Sequence, residues 1–182
     1  ASFSDYDDYL KSLNMKGEIK SFAQMYMSRI AQLTNKSNQF NLTTKRYSQS
    51  EIEAAAQSSE QITLYGKLSD KFGDNGVVSV IIGKIQGEHQ DELHIELWLM
   101  SCRVLKRDME YAMMDELVEK AQEKKIKKLV GYYYPTAKNG MVREFYALQG
   151  FTKQSEDEEG NSIWEFIIPD EYQKKQKVIE LV

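Results

Sequence analysis

Leu93-His-Ile-Glu-Leu-Trp-Leu-Met-Ser-Cys-Arg-Val-Leu-Lys-Arg-Asp-Met-Glu-Tyr-Ala112 decides the fold class, because it passes from strand period to helix period within twenty residues. Leu93, Ile95, Leu97 and Leu99 alternate with His94, Glu96 and Trp98, which predicts a strand over 93–100 with the two sets on opposite faces. Asp108 is a favourable N-cap, and Met109, Ala112, Met113, Leu117 and Ala121 keep helical spacing over 108–124. Between the two elements lies the only cysteine, Cys102. A turn between a strand and a helix N-terminus is where an α/β layer exposes a site.

Outward from this stretch the pattern repeats. Lys128 to Tyr134 predicts a strand ended by Pro135, followed by a helix from Asn139 to Gln149 that buries Val142, Phe145, Tyr146 and Leu148 and stops at Gly150. Phe151–Gln154 and Ile163–Ile168 form a closing hairpin around the acidic turn 156–160. Upstream, Ile62–Ser69 and Val77–Ile85 flank Asp70-Lys-Phe-Gly-Asp-Asn-Gly76, whose Gly73 and Asn75-Gly76 favour an antiparallel hairpin.

Ser48 with Glu51 predicts a capping box for a helix to about Ala56. Phe22, Met25, Tyr26, Ile30 and Leu33 share one face of an earlier helix. Asn35–Thr44 is dense in amides and hydroxyls, which favours an ordered loop or a short strand. A short helix over 5–13, broken at Asn14–Gly17, has the character of a lead-in. The expected architecture is α/β, one mixed and mostly antiparallel central sheet flanked by helices.

Bulk properties narrow the function. The 182 residues suit one domain, and 24 Lys and Arg against 28 Asp and Glu give a net charge of -4, so nucleic acid is a poor expected partner. No apolar run approaches the roughly 18 residues of a membrane span, and Asp5, Asp7 and Asp8 do not suit a signal peptide. A single cysteine forms no internal disulfide, so a cytoplasmic location is expected. His89 and His94 have no Cys or His at ligand spacing, so no metal site is expected, and no G-x-S-x-G, Walker or G-x-G-x-x-G motif occurs.

Cys102 is the candidate nucleophile. Arg103, Lys106 and Arg107 follow within five residues, and such cations together with a helix N-terminus favour thiolate, which could carry an acyl group as a thioester. The alternative is a small buried hydrophobe.

Asn139, Phe145-Tyr146 and Gly150-Phe151, in this order of strands and helices, resemble the GNAT acyltransferase fold. The resemblance implies that strands 93–100 and 128–134 splay to admit the pantetheine arm of coenzyme A, whose pyrophosphate meets a Q/R-x-x-G-x-G/A turn. Arg107 and Ala112 match that turn, and with Val104 they are the cofactor-binding candidates if coenzyme A or pantetheine binds. Glu110 replaces the close-approach glycine and Asp108 adds a second carboxylate; both would repel a phosphate at a helix N-terminus.

Four further blocks, 29–44, 70–76, 101–107 with Glu110, and Lys138-Asn139, resemble the C-terminal GNAT-like domain of FkbH-like proteins. That resemblance implies a partner N-terminal phosphatase domain of the haloacid-dehalogenase type, here without its D-x-D-x-T motif, and transfer of a glyceryl unit from a phosphorylated three-carbon donor to an acyl carrier protein. Residues 1–17 would then be a linker remnant and 18–182 the domain. Cys102, Asn139 and Tyr146 are the implied catalytic set, with Asn139 and Tyr146 on the acceptor side. Asn38, Gln39, Asn41, Thr43, Thr44, Arg103 and Arg107 would bind substrate. Two other functions remain open: an acetyl-CoA-dependent N-acetyltransferase, and a docking module that offers Lys120, Lys124, Lys125, Lys127 and Lys128 to an acidic carrier protein.

Overall fold

The structure, a computed structural model, describes residues 3–182. In chain order it contains α1 (Phe3–Ser12), β1 (Lys16–Lys20), α2 (Met27–Lys36), α3 (Gln49–Gln57), β2 (Gln61–Asp70), β3 (Gly73–Gln86), β4 (Glu92–Met100), α4 (Met109–Glu123), β5 (Lys128–Tyr133), α5 (Phe145–Leu148), β6 (Thr152–Glu156), β7 (Ser162–Ile167) and β8 (Glu180–Leu181). The strands form one mixed sheet in the order β6-β7-β5-β4-β3-β2-β1-β8. Among the described residues only β4/β5 and β1/β8 are parallel pairs. The α/β architecture expected from the sequence is therefore present.

Each face of the sheet has its own core. On one, Met109, Met113 and Leu117 of α4 pack with Leu64, Leu68, Ile95 and Trp98. On the other, Ile30 and Leu33 of α2 and Ile52 of α3 pack with Val80, Ile82, Leu97 and Leu99. Leu93 and Ile95 thus lie on the α4 side while Leu97 and Leu99 lie on the α2 side, which corrects the single face expected from alternation. The reason is a bulge: Ile82 pairs with Leu97 and Gly83 with Ile95, so Glu96 is an extra residue and every side chain after it changes face.

Other expectations are corrected near element ends. Residues 24–26 form a 3-10 turn ahead of α2, so Met25 is 79% exposed and Met27 takes its place inside. Asp108 does not cap α4 with its side chain. It sits at φ 66°, and its backbone carbonyl accepts from the Tyr111 and Ala112 amides instead. The helix expected over 139–149 is a 3-10 turn, Gly140–Val142, followed by the four-residue α5, and Leu148 is exposed. Here the Asn139 side chain is turned toward neighbouring strands rather than toward a following helical turn.

The capping box of α3 forms as its spacing predicts: the Glu51 amide donates to Ser48 Oγ at 3.2 Å, and the Ser48 amide donates to Glu51 Oε1 at 2.9 Å. The boundary expected at residue 17 falls inside β1, which pairs with β2 from Lys16 to Lys20. Leu10, Leu13 and Met15 are buried in the α4-side core, so the described part of the expected linker is a structural layer of the domain; residues 1 and 2 lie outside the described residues. Among the described residues no helix is long and apolar enough to cross a membrane.

One feature positions the site. β4 and β5 are paired only from Glu92–Ile95 with Lys128–Gly131, after which they part. The segment 40–43 fills the opening. Its Leu42 amide donates to the Trp98 carbonyl at 3.1 Å, the Met100 amide donates to the Phe40 carbonyl at 3.0 Å, and the Tyr134 amide donates to the Leu42 carbonyl at 2.9 Å. Thr43 Oγ1 donates to the carbonyl of the bulged Glu96 at 2.7 Å. The loop expected over 35–44 is ordered, and its strand character is limited to the Asn41–Leu99 bridge.

Candidate functional site

The C-terminal end of β4 opens into a cleft of about 620 Å³. Arg29, Leu33 and Lys36 enter it from one face of α2, at i, i+4 and i+7, and the segment 37–40 leads away from the end of that helix. Met100, Ser101, Cys102 and Arg103 line the β4 end, and Lys138 comes from the turn after β5. Arg29, Lys36, Arg103 and Lys138 thus face one space that no Asp or Glu lines. Burial, and after it the nearby Arg103 charge, pushes the Arg29 guanidinium below its ordinary range, as expected for like charges without a counter-ion.

Cys102 is exposed at this cleft, in a 3-10 turn after β4, and its thiol donates to Gln39 Oε1 at 3.2 Å. That placement removes the buried-hydrophobe alternative. Arg103 is exposed too, with Nε donating to Ser101 Oγ and Nη2 to the Asn75 carbonyl, each at 3.3 Å. Asn38 lines the cleft and accepts from Arg46 through its side-chain oxygen. Cys102, Arg103, Asn38 and Gln39 are therefore brought together as the sequence suggested.

The other candidates are elsewhere. Asn139 is fully buried; its side-chain nitrogen donates to the Asn41 and Tyr134 carbonyls at 3.0 Å each, and its oxygen accepts from the Thr136 amide at 2.8 Å and the Tyr133 hydroxyl at 3.2 Å. With all those bonds made internally, it serves as a clasp between segment 40–43 and β5. Tyr146 is 1% exposed, its ring packed against Gly131, where an added Cβ would meet ring atoms at 2.6 Å. Its hydroxyl is directed toward the Tyr132 backbone without closing a hydrogen bond, and burial pushes its pKa far up.

Asn41 and Thr43 are buried and spend their side chains on Ser37, Thr44 and Glu96 backbone atoms. Thr44 hydrogen-bonds the Thr43 carbonyl and lies beside a smaller cavity of about 250 Å³ with Arg46 and Thr136. Arg107 Nη1 donates to Asp70 Oδ2 at 2.7 Å, an ion pair that ties α4's approach to the β2–β3 hairpin and holds the Asp70 carboxyl below the usual range.

Coenzyme A does not fit the place the resemblance implies for it. Beyond the point where the strands part, the Trp98 carbonyl and the Met100 amide of β4 are bonded to segment 40–43, and the Glu96 carbonyl to the Thr43 side chain. Val104 and Ala112 are fully buried. At the start of α4, burial and then the Asp7 charge push the Asp108 carboxyl up, and burial pushes up Glu110, whose Oε2 is enclosed without a hydrogen-bond partner. The Tyr6 hydroxyl of α1 reaches over to the Lys106 carbonyl and closes the same turn. Two carboxylates under a helix leave no cradle for a pyrophosphate.

Comparison with solved structures accounts for the architecture. An acetyltransferase of the GNAT family from Streptococcus pneumoniae superposes with a TM-score of 0.65 at 15% identity, over 85% of this chain and 100% of that one. The fold is that of the GNAT acetyltransferases. The ribosomal-protein-S18-alanine N-acetyltransferase of Escherichia coli matches with a TM-score of 0.60 at 12% identity, covering 88% and 99% of the two chains. An acetyltransferase of Salmonella typhimurium, solved with its cofactor acetyl-CoA, gives a TM-score of 0.62 at 10% identity, covering 89% and 98%. No protein-family model matches the sequence, and no curated protein matches it.

Sequence reasoning missed Arg29, Lys36 and Lys138 as parts of one site. The i, i+7 spacing of Arg29 and Lys36 was available as a signal; the convergence of Lys138 on them depends on tertiary structure. His94 hydrogen-bonds the Tyr132 hydroxyl at 2.7 Å and Glu92 at 2.9 Å, a half-buried network on the β4/β5 pair. Among the described residues no group of three or more His, Cys, Asp or Glu could hold a metal ion.

Proposed function

We propose that this GNAT-fold domain handles a glyceryl-type acyl group, taking it from a phosphorylated three-carbon donor and passing it to the thiol of an acyl carrier protein, as the similarity to FkbH-like domains suggests. The observation that carries this reading is the exposed Cys102 thiol at a cleft lined by four cations and no carboxylate. Cys102 Sγ attacks the acyl carbon; the S–C bond forms as the C–O bond to phosphate breaks, and the thiol proton leaves with the phosphate. The carrier thiol then attacks the thioester, and Cys102 regains its proton. Arg103 balances the phosphate charge. Asn139 and Tyr146 hold the framework rather than touching substrate, and a phosphatase domain in the same polypeptide would remove any second phosphate. A reducing, cytoplasmic setting would keep the thiol free.

Incubating the protein with donor and carrier, and weighing both proteins by mass spectrometry, tests the reading. The expected results are an acyl adduct on Cys102 and a loss of carrier loading of about a hundredfold or more in Cys102→Ala, as for removal of a covalent nucleophile. Undiminished loading by that variant would end the nucleophile assignment.

Acetyl-CoA-dependent N-acetyl transfer is the second reading, supported by the shared fold. Calorimetry separates the two: no measurable coenzyme A binding is expected, and micromolar binding would favour the acetyltransferase. The docking reading rests on Lys120, Lys124, Lys125, Lys127 and Lys128, of which Lys128 is engaged with Glu92 and Glu165 and Lys120 with Glu123.

A further inference from the structure

We infer that the Cys102 cleft is a binding site for a doubly charged phosphate monoester, gripped by Arg29 and Arg103 with Lys36 and Lys138 completing its shell. The inference deepens the acyl-transfer reading by naming the ligand group and its holders, and it rests on that reading only for what the phosphate is attached to.

Four observations support it. The four cations come from three separate parts of the chain, α2, the β4 end and the turn after β5, and they face a single cavity without a carboxylate among its lining residues. None of the four has a carboxylate partner among the described residues. Arg29 lies near enough to Arg103 for that charge, after burial, to act on its guanidinium, an arrangement that a bound anion stabilises. Finally, the cleft faces the C-terminal end of α2, whose negative dipole would oppose an anion, but Arg46 neutralises that end. Its guanidinium donates to the Ser37 carbonyl at 2.7 Å, to the Thr34 carbonyl and to Asn38 Oδ1.

The chemistry selects the ligand class. Planar guanidiniums offer paired donors that match phosphate oxygens, and ammonium groups add charge without demanding geometry. A volume of about 620 Å³ accepts a phosphate with a short polar body attached. Two sources share this chemistry: the phosphate of a small donor, a monoester dianion near neutral pH, and the phosphodiester of a carrier's prosthetic arm, a monoanion at every accessible pH. The excess of positive charge favours the dianion. Because the second ionisation of a phosphate monoester falls near pH 6, affinity should rise between about pH 5 and 7.5.

The test is calorimetric titration of the whole chain with glycerol 3-phosphate, and with dimethyl phosphate as the singly charged analogue. Glycerol 3-phosphate is expected to bind at least about tenfold more tightly than dimethyl phosphate at pH 7.5. Arg29→Gln and Lys138→Gln should each weaken it by about tenfold, while Lys124→Gln, on another surface, should not. Both test side chains are at least partly solvent-exposed, and thermal unfolding of each variant verifies that it folds. No binding by the unaltered protein, undiminished binding in both variants, or equal affinity for the two ligands overturns the inference. If phosphate binds and both variants lose it while Cys102→Ala still loads carrier, the site stands and the thiol reading falls. If Cys102 is acylated but glycerol 3-phosphate does not bind, the reading stands and this inference falls.

Discussion

Glu110 shows how a single side chain can work against the stability of the fold that holds it. Its Oε2 is enclosed without a partner, and burial raises the pKa of the carboxyl above its ordinary value, with Asp108 adding to the effect. A raised carboxyl pKa means that the folded state binds the proton more tightly than the unfolded chain does. The group therefore favours folding below the ordinary glutamate value, near pH 4.3, and that contribution is lost as pH rises through the raised value. Glu110→Gln removes the ionisation and keeps the shape. It is expected to stabilise the protein by about 1 kcal/mol at pH 7, with the gain shrinking toward zero as pH falls below about 4. Melting temperatures of both proteins across that range check it; a gain independent of pH would show that ionisation is not the cause.

At the scale of elements, the segment 40–43 depends on Asn139. Replacing Asn139 by Ala removes the partner of the Asn41 and Tyr134 carbonyls and of the Thr136 amide, and leaves the Tyr133 hydroxyl only the longer bond to the backbone carbonyl of residue 139, at a position that is itself fully buried. A loss of about 2–3 kcal/mol is expected, a fall of about 5–10 °C in melting temperature for a chain of this size. The same comparison shows what could be read in advance. Ser48 and Glu51 act within one turn, so their capping box was visible in spacing alone. The change of face after Glu96 was not, because the extra residue exists only relative to β3, and Leu97 alternates perfectly within its own strand. The family resemblance implies a functional Asn139, but whether its amide faces substrate or backbone depends on a segment almost a hundred residues away. Cys102 was legible in part for the opposite reason: Arg103 is its neighbour in sequence and lines the same cleft, whereas Arg107 turns away to Asp70.

At the scale of the whole molecule, residues 170–182 tie down one end of the sheet. β8 pairs in parallel with β1, and the stretch leading to it is moored on α4 by Asp115, 1% exposed. Its two oxygens accept from the Tyr172 hydroxyl at 2.8 Å, from the Lys175 amide at 3.0 Å and from the Gln176 amide at 3.1 Å. Asp115→Ala is expected to release residues 170–182, making them the first target in limited proteolysis, and to cost about 3 kcal/mol. The cleft, whose lining includes neither Asp115 nor residues 170–182, should keep its ligand affinity; a parallel loss of both would show that the mooring and the cleft are coupled.

The filled opening between β4 and β5 also bears on motion. A sheet whose central strands part must flex there when a cofactor slides in or out. Here three backbone hydrogen bonds, from Leu42, Met100 and Tyr134, carry the sheet's bonding across the gap. The amides of those residues should accordingly be among the slowest in the protein to exchange with deuterium, turning what is a hinge line in an open wedge into a stiff seam. Any turnover on this scaffold would then draw its movement from the surface turns around Cys102 and Lys138, leaving the sheet itself at rest.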